Sequence, residues 1–327
     1  MARARVYVTQ PIPREALERL RGLADVEMNE DPLHMVTKDE LLDGARRADI
    51  LFCLLHDRVD ADVLRANPGL KLVATMAIVP ANVDVATATQ LGIPVTVIPP
   101  LVTEATADLT LALLLAVARR VVEADKLLRQ GVFPGAQSQY LVGGTVHGST
   151  LGIVGLGAIG RAVARRARGF GMRVLYTKRT RLAPEEERDL GVEWAELDRL
   201  LRESDFVSVH AAHTPETYHL IGERELRRMK PTAYLINTSR GPVVDEGALL
   251  TALHEGWIAG AALDVYENEP RVTPGLVDLP NVVLTPHIGS ADRRTRETIA
   301  GVVVDNIEAF LAGRRPPHVV NPEVYAR

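Results

Sequence analysis

Leu151-Gly152-Ile153-Val154-Gly155-Leu156-Gly157-Ala158-Ile159-Gly160-Arg161 is the stretch whose reading decides the fold. A short apolar strand runs into three glycines spaced G-x-G-x-x-G, and a helical pattern follows through Ala162, Val163, Ala164 and Ala167. Each glycine then has its own reason. Gly155 permits the tight turn, Gly157 lets a pyrophosphate approach the backbone, and Gly160 lets the helix pack closely on its strand. The anion meets the N-terminus of the helix that Ala158 and Ile159 open. The stretch reads as a dinucleotide cradle, although glycine-rich turns also join strands to helices in α/β proteins that hold no nucleotide.

Working outward, residues 1–100 repeat a βα rhythm, with strand patterns at about 5–9, 25–28, 49–54, 70–75 and 94–97 and helical patterns between them. Residues 103–130 read as one long helix, apolar on all sides through Leu109–Val117, which implies burial between two bodies. After the cradle come strand patterns at 173–176, 205–210, 233–237, 260–264 and 281–284, again alternating with helices. Right-handed crossovers make such a sheet mostly parallel, with both faces covered. A last helix, over 290–312, has one apolar face and no strand left to follow it. It is expected to return to the first half of the chain. The fold class is α/β: two doubly wound, parallel-sheet, Rossmann-like domains, one inserted in the other, with a cleft between them. The expected boundaries are 1–100 plus 287–327 for a split substrate-binding domain and 101–286 for the dinucleotide-binding domain.

Composition narrows the function classes. At 327 residues the chain is long enough for two buried cores. A net charge of −4 offers no basic field for nucleic acid or for an anionic membrane surface. The longest apolar run, Leu109–Ala118, stops at Arg119-Arg120 and is too short to span a bilayer. Cys53 is the only cysteine, so no disulfide framework or cysteine metal cluster exists and no metal site is expected. With no apolar signal core after Met1, a cytoplasmic protein is the expectation.

In an open α/β sheet, ligands bind beyond the carboxyl ends of the strands. Three such segments carry polar chemistry here. Asn237-Thr238-Ser239-Arg240-Gly241 places an arginine in a tight turn, Asp264-Val265-Tyr266-Glu267-Asn268-Glu269-Pro270 brings carboxylates, and Thr285-Pro286-His287-Ile288-Gly289-Ser290 sets a histidine. Singly, each has a bland reading: Arg240 a helix cap, Glu269 a solvated acid, His287 a core residue. In this order they suit hydride transfer to a 2-oxo acid. Histidine exchanges a proton near neutral pH, an adjacent carboxylate stabilises its imidazolium, and a guanidinium grips a carboxylate with two prongs. His210 ends a strand beside the cradle and is a candidate cofactor contact. After the second cradle strand the segment is Tyr176-Thr177-Lys178-Arg179-Thr180-Arg181, with no acid before Glu185. Basic residues there favour the 2′-phosphate of NADP(H), with Arg179 and Thr180 on the phosphate, over the 2′-hydroxyl of NAD(H), which remains possible.

These motifs together resemble the D-isomer-specific 2-hydroxyacid dehydrogenases, and within them most closely the glyoxylate/hydroxypyruvate reductases. The resemblance extends to Val102-Thr103-Glu104-Ala105-Thr106-Ala107-Asp108 on the connecting helix. It implies His287 as proton donor and acceptor, Glu269 as its orienting partner and Arg240 as ligand of the substrate carboxylate and carbonyl. Thr106, Lys178, Pro215, Thr238, Ser239, Asp264 and Gly289 join the cradle as implied cofactor contacts. Leu55, Ile78, Val79 and Ser290 join Arg240 as implied substrate contacts. A homodimer built around the cofactor domain is implied as well.

One departure bears on the substrate. Relatives usually carry a glycine where this chain has Val79, in the loop Ala77-Ile78-Val79-Pro80-Ala81-Asn82. Valine disfavours positive φ and Pro80 removes an amide donor. The tryptophans common before the cradle in glyoxylate reductases are missing too, with Ala136 and Gln137 nearby. Phosphite and phosphoglycerate dehydrogenases are the alternatives within the family, and a non-catalytic, nucleotide-sensing corepressor is the alternative outside enzymes.

Overall fold

The structure, a computed structural model, describes residues 3–326. The chain forms two compact units. One runs to Leu101 and resumes at Ala291; the other is the uninterrupted segment Val102–Ser290.

In the first unit the elements are β1 (Arg5–Val8), α1 (Arg14–Leu23), β2 (Asp25–Met28), α2 (Lys38–Arg47), β3 (Ile50–Cys53), α3 (Ala61–Arg65), β4 (Leu72–Thr75), α4 (Val85–Gln90) and β5 (Val95–Thr96). The five strands form one parallel sheet in the order β2-β1-β3-β4-β5. β3 and β4 are buried on both faces, which is why they read as continuous apolar runs rather than alternating ones.

The second unit begins with α5 (Thr103–Ala118) and α6 (Val121–Arg129). It continues through β6 (Thr150–Val154), α7 (Ala158–Ala167), β7 (Arg173–Thr177), α8 (Pro184–Leu190), β8 (Val192–Trp194), α9 (Leu197–Glu203), β9 (Phe206–Val209), α10 (Glu223–Leu226), β10 (Tyr234–Asn237), α11 (Glu246–His254), β11 (Gly260–Leu263) and β12 (Val282–Leu284). Its seven strands are all parallel, in the order β12-β11-β10-β9-β6-β7-β8. β6 and β9 are neighbours from which the chain winds off in opposite directions, the arrangement that opens a crevice at the strand ends.

Two expectations are corrected here. The helix read over 103–130 is two helices: Arg120 adopts φ 53, its guanidinium grips Glu123 through two hydrogen bonds of 2.8 Å, and α6 starts afresh from it. Within the second unit the apolar surface of α5 is spent on α7 and on β10, β11 and β12. The short edge strand β8 was not expected at all; Val192-Glu193-Trp194 is too brief to show a period.

The final helix, α12 (Arg293–Leu311), packs against α1 and β4 of the first unit. Its buried face, Ile299, Ala300, Val303, Val304 and Ile307, joins the cluster of Val6, Val8, Ile50, Phe52 and Leu72. Two buried asparagines sew this return in place. Asn306 donates to the Val97 carbonyl (3.2 Å) and accepts from the His318 amide (3.1 Å). Asn321 accepts from the Val95 amide (2.8 Å) and donates to the Ile93 carbonyl (2.9 Å) and the Thr89 hydroxyl (3.0 Å). Among the described residues no helix is long and apolar enough to cross a membrane.

Asn321→Ala leaves the Val95 amide and the Ile93 carbonyl buried without partners, at about 1–3 kcal/mol for such a loss. Urea denaturation is expected to show the first unit destabilised by that amount. An unchanged midpoint would mean that the C-terminal tie adds nothing.

Candidate active site

Register sets the site. The last residues of β6, β9, β10, β11 and β12 are paired in one row: Val154 with Val209, Val209 with Asn237, Asn237 with Leu263, and Leu263 with Leu284. Gly155, His210, Thr238, Asp264 and Thr285 therefore leave the sheet along a single edge.

At the switch point the three glycines behave as their spacing demands. Gly155 has φ 95, and a Cβ on it would lie 2.6 Å from the Ala211 nitrogen. A Cβ on Gly160 would lie 2.6 Å from the Gly155 carbonyl oxygen and 3.2 Å from Ile153, so the helix sits directly on its strand. Gly157 caps α7 and faces open space. No side chain caps that helix, so its first amides, from Ala158 and Ile159 onward, are free to meet an anion. His210 closes the crevice from the β9 side. One ring nitrogen pairs with the Ser208 hydroxyl (2.8 Å), while Nδ1 is buried with no protein partner. Burial holds the ring's pKa down to about 4, so the imidazole is neutral at pH 7. A cradle in which Gly155 and Gly160 leave no room for a Cβ, and an orphaned buried nitrogen beside it, suit a dinucleotide.

Asp264 organises the other half of the edge. It is 1% exposed, and both oxygens face the loop after β12: Oδ1 accepts from the Thr285 hydroxyl (2.6 Å) and the Ile288 amide (2.8 Å), and Oδ2 accepts from the Gly289 amide (2.8 Å). Burial pushes this carboxyl above its ordinary value, and those donors oppose the shift. The loop so held carries His287 at φ 54, a left-handed conformation that costs a residue with a Cβ on the order of 1–3 kcal/mol. Its Nδ1 lies 2.8 Å from Oε2 of Glu269. The other Glu269 oxygen accepts from the Tyr266 amide (3.0 Å), which fixes the carboxylate toward the ring. Both side chains are about one-fifth exposed, 21% for His287 and 19% for Glu269, so the pair is reachable but largely shielded.

The arginine turn is built by Asn237. Its side chain accepts from the Ser239 amide (3.0 Å) and hydroxyl (2.8 Å) and donates to the Arg240 carbonyl (3.1 Å). Arg240 is exposed and its guanidinium donates to the Ser239 carbonyl (2.6 Å). Gly241 lets this turn press on the next loop, since a Cβ there would overlap the Tyr266 carbonyl. His219 ties the same two loops. Its amide donates to the Pro242 carbonyl (2.9 Å), and its ring sits 2.8 Å from Glu267 and 3.5 Å from Asp245.

Other expected contacts are placed variously. Thr238 is buried and its hydroxyl pairs with Thr110 (2.8 Å); Thr106 donates to the Gly289 carbonyl (3.2 Å). Lys178, Arg179 and Thr180 follow β7 directly, and Pro215 stands exposed beyond the end of β9. Ser290 ends the second unit, half-buried. Leu55, Ile78 and Val79 belong to the first unit. Leu55 rides on a turn fixed by buried Asp57, which accepts from the Leu54 amide (2.6 Å) and the Thr9 hydroxyl, and by Asn82, which donates to the Leu54 and Asp57 carbonyls. Val79 is exposed and is not among the described non-glycine residues with positive φ, which are Arg120, Leu141, His219 and His287. Valine is therefore accommodated at that position without backbone strain. Among the described residues, the amides of Ile78 and Val79 donate to no protein group.

Asn237, His219, Asp57 and Asn82 fix these turns, and the sequence reading assigned none of them a part. Only Asn237, poised before Thr-Ser-Arg as the head of an Asx turn, offered a local signal.

Residues 111–289 match the family described as D-isomer specific 2-hydroxyacid dehydrogenase, NAD binding domain. The chain is also 50% identical over 323 residues to the glyoxylate reductase of Korarchaeum cryptofilum, covering 98% of this chain and 96% of that one. The chain belongs to the D-isomer specific 2-hydroxyacid dehydrogenase family. The glyoxylate reductase of Thermococcus litoralis is 48% identical over 324 residues, 98% of this chain and 97% of its own. Among solved structures, a protein of Thermus thermophilus superposes with a TM-score of 0.88 at 46% identity, over 97% of this chain and 99% of that one. An NADPH-dependent glyoxylate/hydroxypyruvate reductase from Sinorhizobium meliloti does so with a TM-score of 0.79 at 34% identity, over 98% and 99%. As a member of this family the chain is an NAD(P)-dependent oxidoreductase.

The neutral state of His210 has a pH consequence. Its folded pKa lies below the ordinary histidine value near 6.5, so the unfolded chain takes up the proton first as pH falls. The stability tied to the neutral ring is complete above about pH 6.5 and is lost as pH falls toward 4, at up to about 1.4 kcal/mol per pH unit. Chemical denaturation at pH 7 and pH 5 is expected to show a smaller acid loss in His210→Gln than in the parent; equal losses would contradict the assignment.

Proposed function

We propose that the protein reduces a small 2-oxo acid, of the glyoxylate or hydroxypyruvate kind, to the corresponding D-2-hydroxy acid with NADPH in preference to NADH. The observation that carries this reading is the 2.8 Å contact between His287 Nδ1 and Glu269, set on a cofactor-binding edge in a chain whose relatives are glyoxylate reductases. When bound, the reduced nicotinamide supplies the hydride that the carbonyl carbon accepts. His287 donates the proton to the carbonyl oxygen through Nε2, because Nδ1 is turned to Glu269. Glu269 orients the ring for the transfer. Arg240, exposed on its turn, grips the substrate carboxylate and offsets charge developing on the oxygen. Ser290, at the end of the same loop as His287, is a further substrate contact; in the first unit, considered by itself, the unengaged amides of Ile78 and Val79, with Leu55, are suited to a carboxylate.

The cofactor preference rests on Lys178 and Arg179, which among the described residues make no side-chain hydrogen bond or ion pair. Cations that no carboxylate binds at the end of the second cradle strand suit a 2′-phosphate. The lone cysteine, buried in the first unit, suits a reducing cytoplasm.

A panel of glyoxylate, hydroxypyruvate, pyruvate and longer apolar 2-oxo acids, each assayed with NADPH and NADH, tests the reading. Turnover of the two smallest acids with NADPH is expected, and His287→Gln is expected to lower kcat by about 10²–10⁴-fold while NADPH binding persists. Near-normal turnover in that variant, or a clear NADH preference in the parent, would sink the corresponding half of the proposal.

The protein works as a homodimer joined through its second unit. An apolar surface supports this: Phe133 is 77% exposed, and Val121, Leu128, Tyr140, Val142 and Val277 are exposed too. Val142 and Val277 border a groove of about 450 Å³ between α6 and the starts of β10, β11 and β12. An exposed apolar surface of this kind marks an association face. Sedimentation equilibrium is expected to give a dimer, and Phe133→Asp to shift it toward monomer; a monomeric parent would refute the assembly.

A further inference from the structure

The segment after β7 carries three cations in sequence, yet the structure withdraws one of them. Arg181 is bound at both ends of a carboxylate: Nε to Oε1 of Glu187 and Nη2 to Oε2, each at 2.8 Å. Its guanidinium also lies 5.5 Å above the Trp194 ring of β8. Glu187, on the first turn of α8, takes a third hydrogen bond from the hydroxyl of Tyr176 (2.7 Å). That hydroxyl in turn accepts from the Leu182 amide (2.9 Å). Tyr176 is fully buried in β7, and Glu187 is itself buried.

These contacts close a ring around the tip Lys178-Arg179-Thr180. The tip starts at Thr177, whose carbonyl accepts from the amide of Gly155, the first cradle glycine (2.9 Å). It ends at Leu182, pinned to Tyr176. Both ends are thus tied to the strand that neighbours the cradle. Arg179 and Thr180 are exposed at the tip and Lys178 is half-buried. The Thr214 hydroxyl and, less strongly, the Arg179 charge hold the carboxylate of Glu216 below its ordinary value.

We infer that Glu187 is a positioning residue for cofactor choice: with Tyr176 it fixes the tip that presents Lys178, Arg179 and Thr180, so that recognition of a 2′-phosphate depends on a residue that touches no cofactor atom. The inference rests on the NADPH preference proposed above. Two effects oppose each other if Glu187 is removed. Freeing Arg181 adds a positive charge, which by itself favours the phosphate, but its side chain is 56% exposed and the charge is screened. Losing three hydrogen bonds, two of them from a guanidinium, frees Arg181 and leaves the Tyr176 hydroxyl held by the Leu182 amide alone, which loosens the tip at its C-terminal end. Order outweighs screened charge, and phosphate binding weakens.

Equilibrium binding of 2′,5′-ADP and of 5′-ADP, followed by calorimetry, separates a phosphate-specific effect from general damage. The parent is expected to bind 2′,5′-ADP more tightly. Glu187→Ala and Tyr176→Phe are each expected to weaken 2′,5′-ADP by about tenfold, ~1.4 kcal/mol, and to leave 5′-ADP within twofold. Tyr176→Phe keeps the ring and its packing, so it decides the matter if Glu187→Ala does not fold. Equal weakening of both nucleotides, or of neither, in a parent that favours 2′,5′-ADP overturns the role of Glu187 alone. A parent that does not distinguish the two nucleotides overturns the NADPH preference and the inference with it.

Discussion

The carboxylate of Asp264 holds the loop after β12 in a conformation that its histidine would not choose. Three donors converge on it, from Thr285, Ile288 and Gly289, and together they offset the left-handed backbone at His287. The same strand end starts the loop that brings Glu269 to the ring, so fold and chemistry meet within six residues of one strand. A parallel sheet makes this possible. Its strands end in register, and each crossover returns the chain to the same edge, so residues remote in sequence leave the sheet side by side.

Electrostatics divides that edge. At the cradle the structure offers amides and a neutral imidazole, groups that receive an anion without carrying a full charge. Beyond β7 full cations stand exposed. On the β10–β12 side charge is paired or trained: Glu269 on His287, Glu267 and Asp245 around His219, with Arg240 left outward. A buried carboxylate that accepts three hydrogen bonds costs far less than a bare one, which explains how Asp264 can sit at 1% exposure.

Much of this was legible in the sequence, for physical reasons. The cradle could be read because its glycines stand at fixed spacing between an apolar strand and a helix, a wholly local pattern. The two sheets could be read because buried parallel strands are apolar on both faces. The segments that carry Arg240, Glu269 and His287 could be picked out because strand ends are where polar residues follow apolar runs, and the structure pairs His287 with Glu269. What escaped reading depends on partners distant in the chain. The break at Arg120 is one example: its residues are helix-compatible, but the chain at Gly143 and Gly144 crosses the end of α5, where a Cβ on Gly143 would lie 2.1 Å from the Ala118 carbonyl. The contacts of Glu187 and His219 are others, since a glutamate on a helix and a histidine in a loop carry no mark of what they will bind.

The discontinuity of the first unit gives the protein an order of assembly. Its sheet is written in the residues up to Leu101, yet α12, Asn306 and Asn321, which close its core and hold β5, are synthesised only after the whole of the second unit. The second unit is one unbroken segment and has all its strands before then. During synthesis the cofactor-binding unit can therefore be finished while the first unit still waits, its core facing open on the side that α12 will cover.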